Sequence, residues 1–119
     1  MQPWLAVVAN GRAVMRVCAA TLTETVNGTA RDAAVHRVVN SELTCEPVTE
    51  AIGYRAGRLR AKAASSRRRP RELTVEALVV ATACGLPRPV IILTSGTGDI
   101  DLLLAANPGP TEGIRSRRV

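Results

Sequence analysis

Aromatic side chains are nearly missing from this chain: one Trp, one Tyr and no Phe in 119 residues. Such scarcity argues against a base-stacking platform of the single-strand-binding type. It also leaves any core to Ala, Val and Leu, packed closely helix on sheet. Long apolar runs are missing too. The run Trp4 to Ala9 is six residues with no basic residue before it, too short for a signal segment or a membrane span. No membrane association and a cytoplasmic location are therefore expected. Cysteine is sparse and dispersed: Cys18, Cys45 and Cys84 form no CxxC pair, and each sits among apolar neighbours. Free, buried thiols are the expected state. His36 has no His or Cys partner at metal-ligand spacing, and no Ser or Thr has the His–Asp context of a triad hydrolase.

Positive charge, by contrast, is plentiful. The net charge is +6 and fifteen of sixteen basic residues are Arg. An excess of that size favours a polyanion such as RNA, or an acidic protein partner. Arg suits bidentate phosphate contacts better than Lys does. Arg67, Arg68, Arg69 and Arg71 crowd one polar loop, 65–72. That loop reads either as a solvated insertion or as an RNA-phosphate contact, with the solvated reading favoured in so basic a chain.

Periodicity supplies the elements. Ala13 to Cys18 reads as a short strand. Thr21-Leu-Thr-Glu24 has the pattern of a capping box, and Gly28 stops that helix. Thr29 to Asp32 opens another, whose Val35, Val38 and Val39 make an apolar stripe. Leu43 to Pro47 is a second strand. Thr49 caps a helix with Ile52, Ala56, Leu59 and Ala63 on one face, while Arg55, Arg58 and Lys62 form a solvent stripe. Thr74 starts the next helix, with Glu76 in its first turn and Gly85 past its end. Pro89 to Leu93 is a continuous apolar strand of the kind buried in parallel sheets. Asp99 caps a last helix with Ile100, Leu103 and Leu104 inward, and residues 113–119 give an edge strand. Helices recurring between short strands predict an α/β fold, a three-layer α/β/α arrangement around a short, mostly parallel sheet, in a single domain over 1–119.

Three segments resemble motifs of the PIN-domain nucleases. Ala20-Thr-Leu-Thr-Glu-Thr-Val-Asn-Gly28 resembles their A-x-x-L-x-E-x-x-x-G segment. Thr74-Val-Glu-Ala-Leu-Val-Val-Ala-Thr-Ala83 resembles their D-A-x-x-A-x-A helix. Val90-Ile-Ile-Leu-Thr-Ser-Gly-Thr-Gly-Asp-Ile100 resembles the apolar strand that ends in T-S-D-x-x-D. Order and spacing are similar to those of VapC-type ribonuclease toxins from toxin–antitoxin pairs, from about Ala13 onward.

The resemblance implies an endoribonuclease dependent on Mg²⁺ or Mn²⁺, with Glu24, Glu76 and Asp99 as catalytic and metal-binding carboxylates. It also implies an RNA substrate, a cognate antitoxin and a homodimer. Glu76 stands where the family has Asp, and Gly96 where many members have a ligand Asp. The family's opening strand, with its first metal-binding Asp, and the helix after it have no counterpart, since no Asp precedes Asp32. An N-terminally shortened or degenerate copy is expected, with exposed strand edges. Each carboxylate has a plainer reading as well. Glu24 would complete the capping box, Glu76 would complement its helix dipole, and Asp99 would cap a helix. Thr94 and Ser95 read either as neighbours of a metal or as partners of strand-end backbone. Three functions follow from the residues: a PIN-like ribonuclease toxin with catalysis intact or impaired, a non-catalytic pseudo-toxin that binds an antitoxin or itself, and a basic RNA-binding module using the Arg loop.

Overall fold

The structure, a computed structural model, describes residues 13–65 and 73–119. The apolar run from Trp4 and the cluster Arg67 to Arg71 lie outside the described residues. Among those described, the chain is mixed α/β with short parallel strand pairs. It divides into two compact units that meet in sequence at Pro47 and Val48.

The first unit runs β1 (Arg16–Cys18), a 3-10 turn (Ala19–Thr21), α1 (Leu22–Thr25), α2 (Asp32–Glu42) and β2 (Thr44–Glu46). β1 and β2 pair in parallel, Arg16 opposite Thr44 and Cys18 opposite Glu46. An ion pair between Arg16 and Glu46 at 3.3 Å spans them; partly exposed, such a pair contributes under about 1 kcal/mol. Ahead of α2, the Asp32 carboxylate accepts the Asn27 and Gly28 N–H groups at 3.0 and 2.8 Å. This clamp holds a bend in which Gly28 takes φ +80°, a conformation that costs a residue without Cβ little.

Three expectations change in this unit. The capping box does not form: Thr21 is itself helical and makes no side-chain cap bond. The 3-10 turn runs straight into α1, so the Thr21 carbonyl instead accepts the Thr25 hydroxyl at 3.1 Å. The stripe Val35, Val38, Val39 is helical but open: α2 has no buried residue and Val38 is 45% exposed. Of the cysteines, all free, Cys18 is buried but Cys45 is exposed and Cys84 half-buried. Cys45 sits mid-strand in a three-residue pair, which is too short to enclose it.

The second unit contains α3 (Glu50–Ala64), α4 (Thr74–Cys84), β3 (Val90–Thr94), α5 (Thr97–Ala106) and β4 (Ile114–Arg118). Thr49 caps α3 as its sequence predicts, its hydroxyl accepting the Ile52 N–H at 3.2 Å. α3 buries Ala56, Leu59 and Ala63, and α4 buries Ala77 and Val80 through Ala83. Arg60 ties the two helices together by donating to the Thr74 hydroxyl at 2.9 Å. β3 and β4 are parallel, from Val90 opposite Ile114 to Thr94 opposite Arg118, and α5 is the crossover between them. Six of the thirteen buried core residues here are alanine, with Leu59, Leu73, Val80, Ile92, Ile100, Leu103 and Ile114 filling the rest. Alanine at the contacts lets helices approach closely, which is how this unit closes without aromatic side chains.

The pairing is parallel, as expected, but the strands make two two-stranded sheets rather than one. No strand among the described residues bridges the pairs, so each strand keeps an unpaired edge. β3 is also less enclosed than its apolar run implies: Ile92 is buried, whereas Ile91 is 39% exposed. Successive residues of a strand face opposite sides of the sheet, and the side Ile91 occupies is left partly open.

Candidate functional site

The expected carboxylates take up three distinct positions. Glu24 is exposed in the short helix α1 of the first unit. Glu76 is half-buried in the first turn of α4. Asp99 is half-buried in the first turn of α5, but the N-cap is Gly96, not Asp99. Helix α5 begins at Thr97, three residues earlier than a cap at Asp99 requires, which leaves Asp99 as its third helical residue. A Cβ on Gly96 would lie 3.9 Å from Asp99 Oδ2. Among the described residues, no three Asp, Glu, His or Cys side chains gather closely enough to hold a metal ion. Mg²⁺ is commonly held by one or two carboxylates, with water and substrate phosphate completing its octahedron.

At the end of β3, the Thr94 side chain serves the backbone, and Ser95 takes part through its own carbonyl. Thr94 Oγ1 accepts the Gly96 N–H at 3.0 Å, and the Ser95 carbonyl accepts from Arg118 at 3.0 Å. Asp101, exposed on α5, accepts the Ser116 hydroxyl at 2.6 Å and so pins the crossover helix to β4.

The more developed concavity lies at the other rim of this sheet. Arg55, Arg58 and Lys62 of α3 line a cleft of about 580 Å³ with Cys84, Arg88 and the turn Asn107 to Pro110. Arg88 immediately precedes β3, and the turn precedes β4. The cleft therefore opens where the two parallel strands begin, a strand length of roughly 16 Å from their ends. Arg88 is fixed in its wall, donating to the Glu112 carbonyl at 3.0 Å. Arg55 and Arg58 are shared with an adjoining hollow of about 450 Å³, lined also by Tyr54, Ile52, Ala81 and Gly85. Neither concavity has an acidic residue among its described lining. Arg55, Arg58 and Lys62 make no ion pair with the described residues. Burial raises the Cys84 thiol pKa, and the positive charges of Arg55 and Arg88 pull against that rise.

The sequence places Arg55, Arg58 and Lys62 on a solvent face, and exposed they are. The i, i+3, i+7 spacing was the legible signal. That Arg88 and the Asn-Pro-Gly-Pro turn form an opposite wall was not, because 26 or more positions separate that wall from Lys62. No family model, curated protein or solved structure matches this chain.

Proposed function

We propose that this protein is a PIN-like, metal-dependent endoribonuclease of the toxin–antitoxin type, with layering similar to that fold. One observation carries the reading most directly: Asp99 stands in the first helical turn after the carboxyl end of a parallel strand, in a β3–α5–β4 crossover. Ligands of open α/β sheets bind at that end. Glu76, in the first turn of α4, is the second carboxylate of the proposed site. The three motif segments lie in the family's order, and a net charge of +6 suits an RNA substrate. Bound Mg²⁺ or Mn²⁺ would supply charge compensation on the phosphoryl oxygens and a water of lowered pKa. The chain's own part is to hold the ion through Glu76 and Asp99 and to fix the strand end beside them through Thr94.

The test is cleavage of a mixed-sequence RNA in Mg²⁺ and in Mn²⁺, repeated with Glu24→Gln, Glu76→Gln and Asp99→Asn. Loss of cleavage in Glu76→Gln and Asp99→Asn is expected. Undiminished cleavage in all three variants overturns the assignment.

A second reading, a pseudo-toxin that pairs with an antitoxin or with a second copy, is favoured by the open face of α2. Val35, Val38 and Val39 form a stripe with no buried residue, as a helix awaiting a partner would. It predicts a melting temperature unmoved by Mg²⁺ and raised by the cognate antitoxin.

A further inference from the structure

The row Arg55, Arg58, Lys62 is unexplained by the proposed cleavage site, which lies at the opposite rim of the β3–β4 sheet. We propose that this face of α3 is a binding track for single-stranded nucleic acid. Phosphates would lie along Arg55, Arg58 and Lys62, with Arg88 facing them across the cleft, and one base would rest on Tyr54.

Four observations converge on this occupant. First, the three cations climb one side of a helix over roughly 10 Å, at 1.5 Å per residue. That is a row suited to successive charges on a linear polyanion rather than to a lone ion. Second, the row is uncompensated: no acidic residue among the described lining meets it, and none of the three is ion-paired with a described residue. Third, Arg88 is preorganised, held by the Glu112 carbonyl at 3.0 Å, so it adds charge with little ordering cost. Fourth, the hollow beside the row has an aromatic wall. Tyr54 is 62% exposed, and it adjoins Arg55 and Arg58 over the apolar floor made by Ile52 and Ala81. A phosphate row flanked by an exposed ring matches a strand whose bases point away from its backbone. An acidic peptide would use the cations and leave Tyr54 idle. One ring gives one stacking position, consistent with a chain too poor in aromatics for a platform.

The track is independent of the carboxylates, and its test is run in EDTA so that no cleavage takes part. A fluorescein-labelled 12-nucleotide single-stranded RNA and the DNA of the same sequence are titrated by anisotropy with the full chain. The variants are Arg55→Gln/Arg58→Gln/Lys62→Gln, Tyr54→Ala, and a charge-matched control, Arg31→Gln/Arg37→Gln/Arg115→Gln. The triple row variant is expected to lower the slope of log affinity against log salt by about two, from roughly 0.7 per phosphate on single strands. Tyr54→Ala is expected to weaken binding about 5- to 100-fold, the range for one stacked base.

Equal losses in the row variant and the control overturn the proposal in favour of undirected charge attraction. Poly-glutamate that binds through the row, displaces the RNA and ignores Tyr54→Ala overturns it in favour of an acidic protein. A second measurement needs no variant: Cys84 lines the cleft, so saturating RNA is expected to slow its alkylation at least several-fold. A Cys84 labelling rate identical with and without RNA removes the nucleic acid from this cleft.

Discussion

Arg88 lies along Gly113: a methyl group on Gly113 would stand 3.3 Å from Arg88 Cβ and 3.6 Å from its Cδ. The glycine sits at φ +84°, and its carbonyl accepts the Val90 N–H at 2.7 Å. Two features thus converge on one residue, a left-handed backbone and the packed stem of a cleft cation. Gly113→Ala is expected to cost about 1–2 kcal/mol from the backbone alone, measured by urea denaturation. Because the new methyl also displaces the Arg88 stem, nucleic-acid affinity should fall as well. A Gly113→Ala protein as stable as the parent would contradict the backbone argument.

Two threonines with similar sequence settings separate under substitution. Thr49 caps α3 through the Ile52 N–H, whereas Thr21 makes no side-chain cap bond. Thr49→Ala should therefore lose about 1 kcal/mol, while Thr21→Ala should stay within about 0.5 kcal/mol of the parent. Chemical denaturation of both variants checks this. Equal costs would mean that the cap geometry does not govern either helix end.

These two residues also show where sequence reading succeeds. A helix start is legible when the residue before it is extended, as Thr49 is (ψ 168°), and illegible when a 3-10 turn feeds the helix, as at Thr21 (ψ −27°). Apolar periodicity located α3, α4, β3 and α5 and named Ala56, Leu59, Ala63, Ile100 and Leu103 as inward. It could not tell that β3 would have a single partner, because pairing is decided by distant chain. Nor could it tell that Val38 would stay 45% exposed, since a stripe encodes a face and not its cover. For the site, residue type placed Glu76 on a first turn correctly, whereas Asp99, expected as a cap, is the third residue of α5 behind a Gly96 cap. The cleft escaped notice because its two walls are remote in sequence and joined only by folding.

Burial is uneven, and local stability should follow it. Among the described residues, every fully buried large side chain (Leu59, Leu73, Ile100, Leu103 and Val80) belongs to the second unit, and α2 has no buried residue. Amide hydrogen exchange should therefore show α4 and α5 as the slowest segments and α2 as much faster. Leu103→Ala, at a fully enclosed site, is expected to cost about 2–5 kcal/mol and to speed exchange throughout α4 and α5. Protection of α2 equal to that of α4 would mean that its open valines are covered in solution, as the pseudo-toxin reading predicts for a self-associating chain.

Cys84 supplies the pH dependence. Burial raises its thiol pKa in the fold, and Arg55 and Arg88 offset only part of that rise. The folded state therefore holds this proton more tightly than the unfolded state does. Below the unfolded thiol range of about 8–9, both states are protonated and the contribution is fully present. As pH climbs through that range, the unfolded chain loses its proton first, so stability falls, levelling off once the folded thiol ionises too. Cys84→Ala should flatten this alkaline decline in thermal melts between neutral and alkaline pH. At neutral pH, iodoacetamide should label exposed Cys45 before half-buried Cys84, as read by mass spectrometry. Arg55→Gln removes one of the two charges that favour the thiolate, so it should slow Cys84 labelling further. Faster labelling in that variant would show that access to the cleft, and not the local field, limits the reaction.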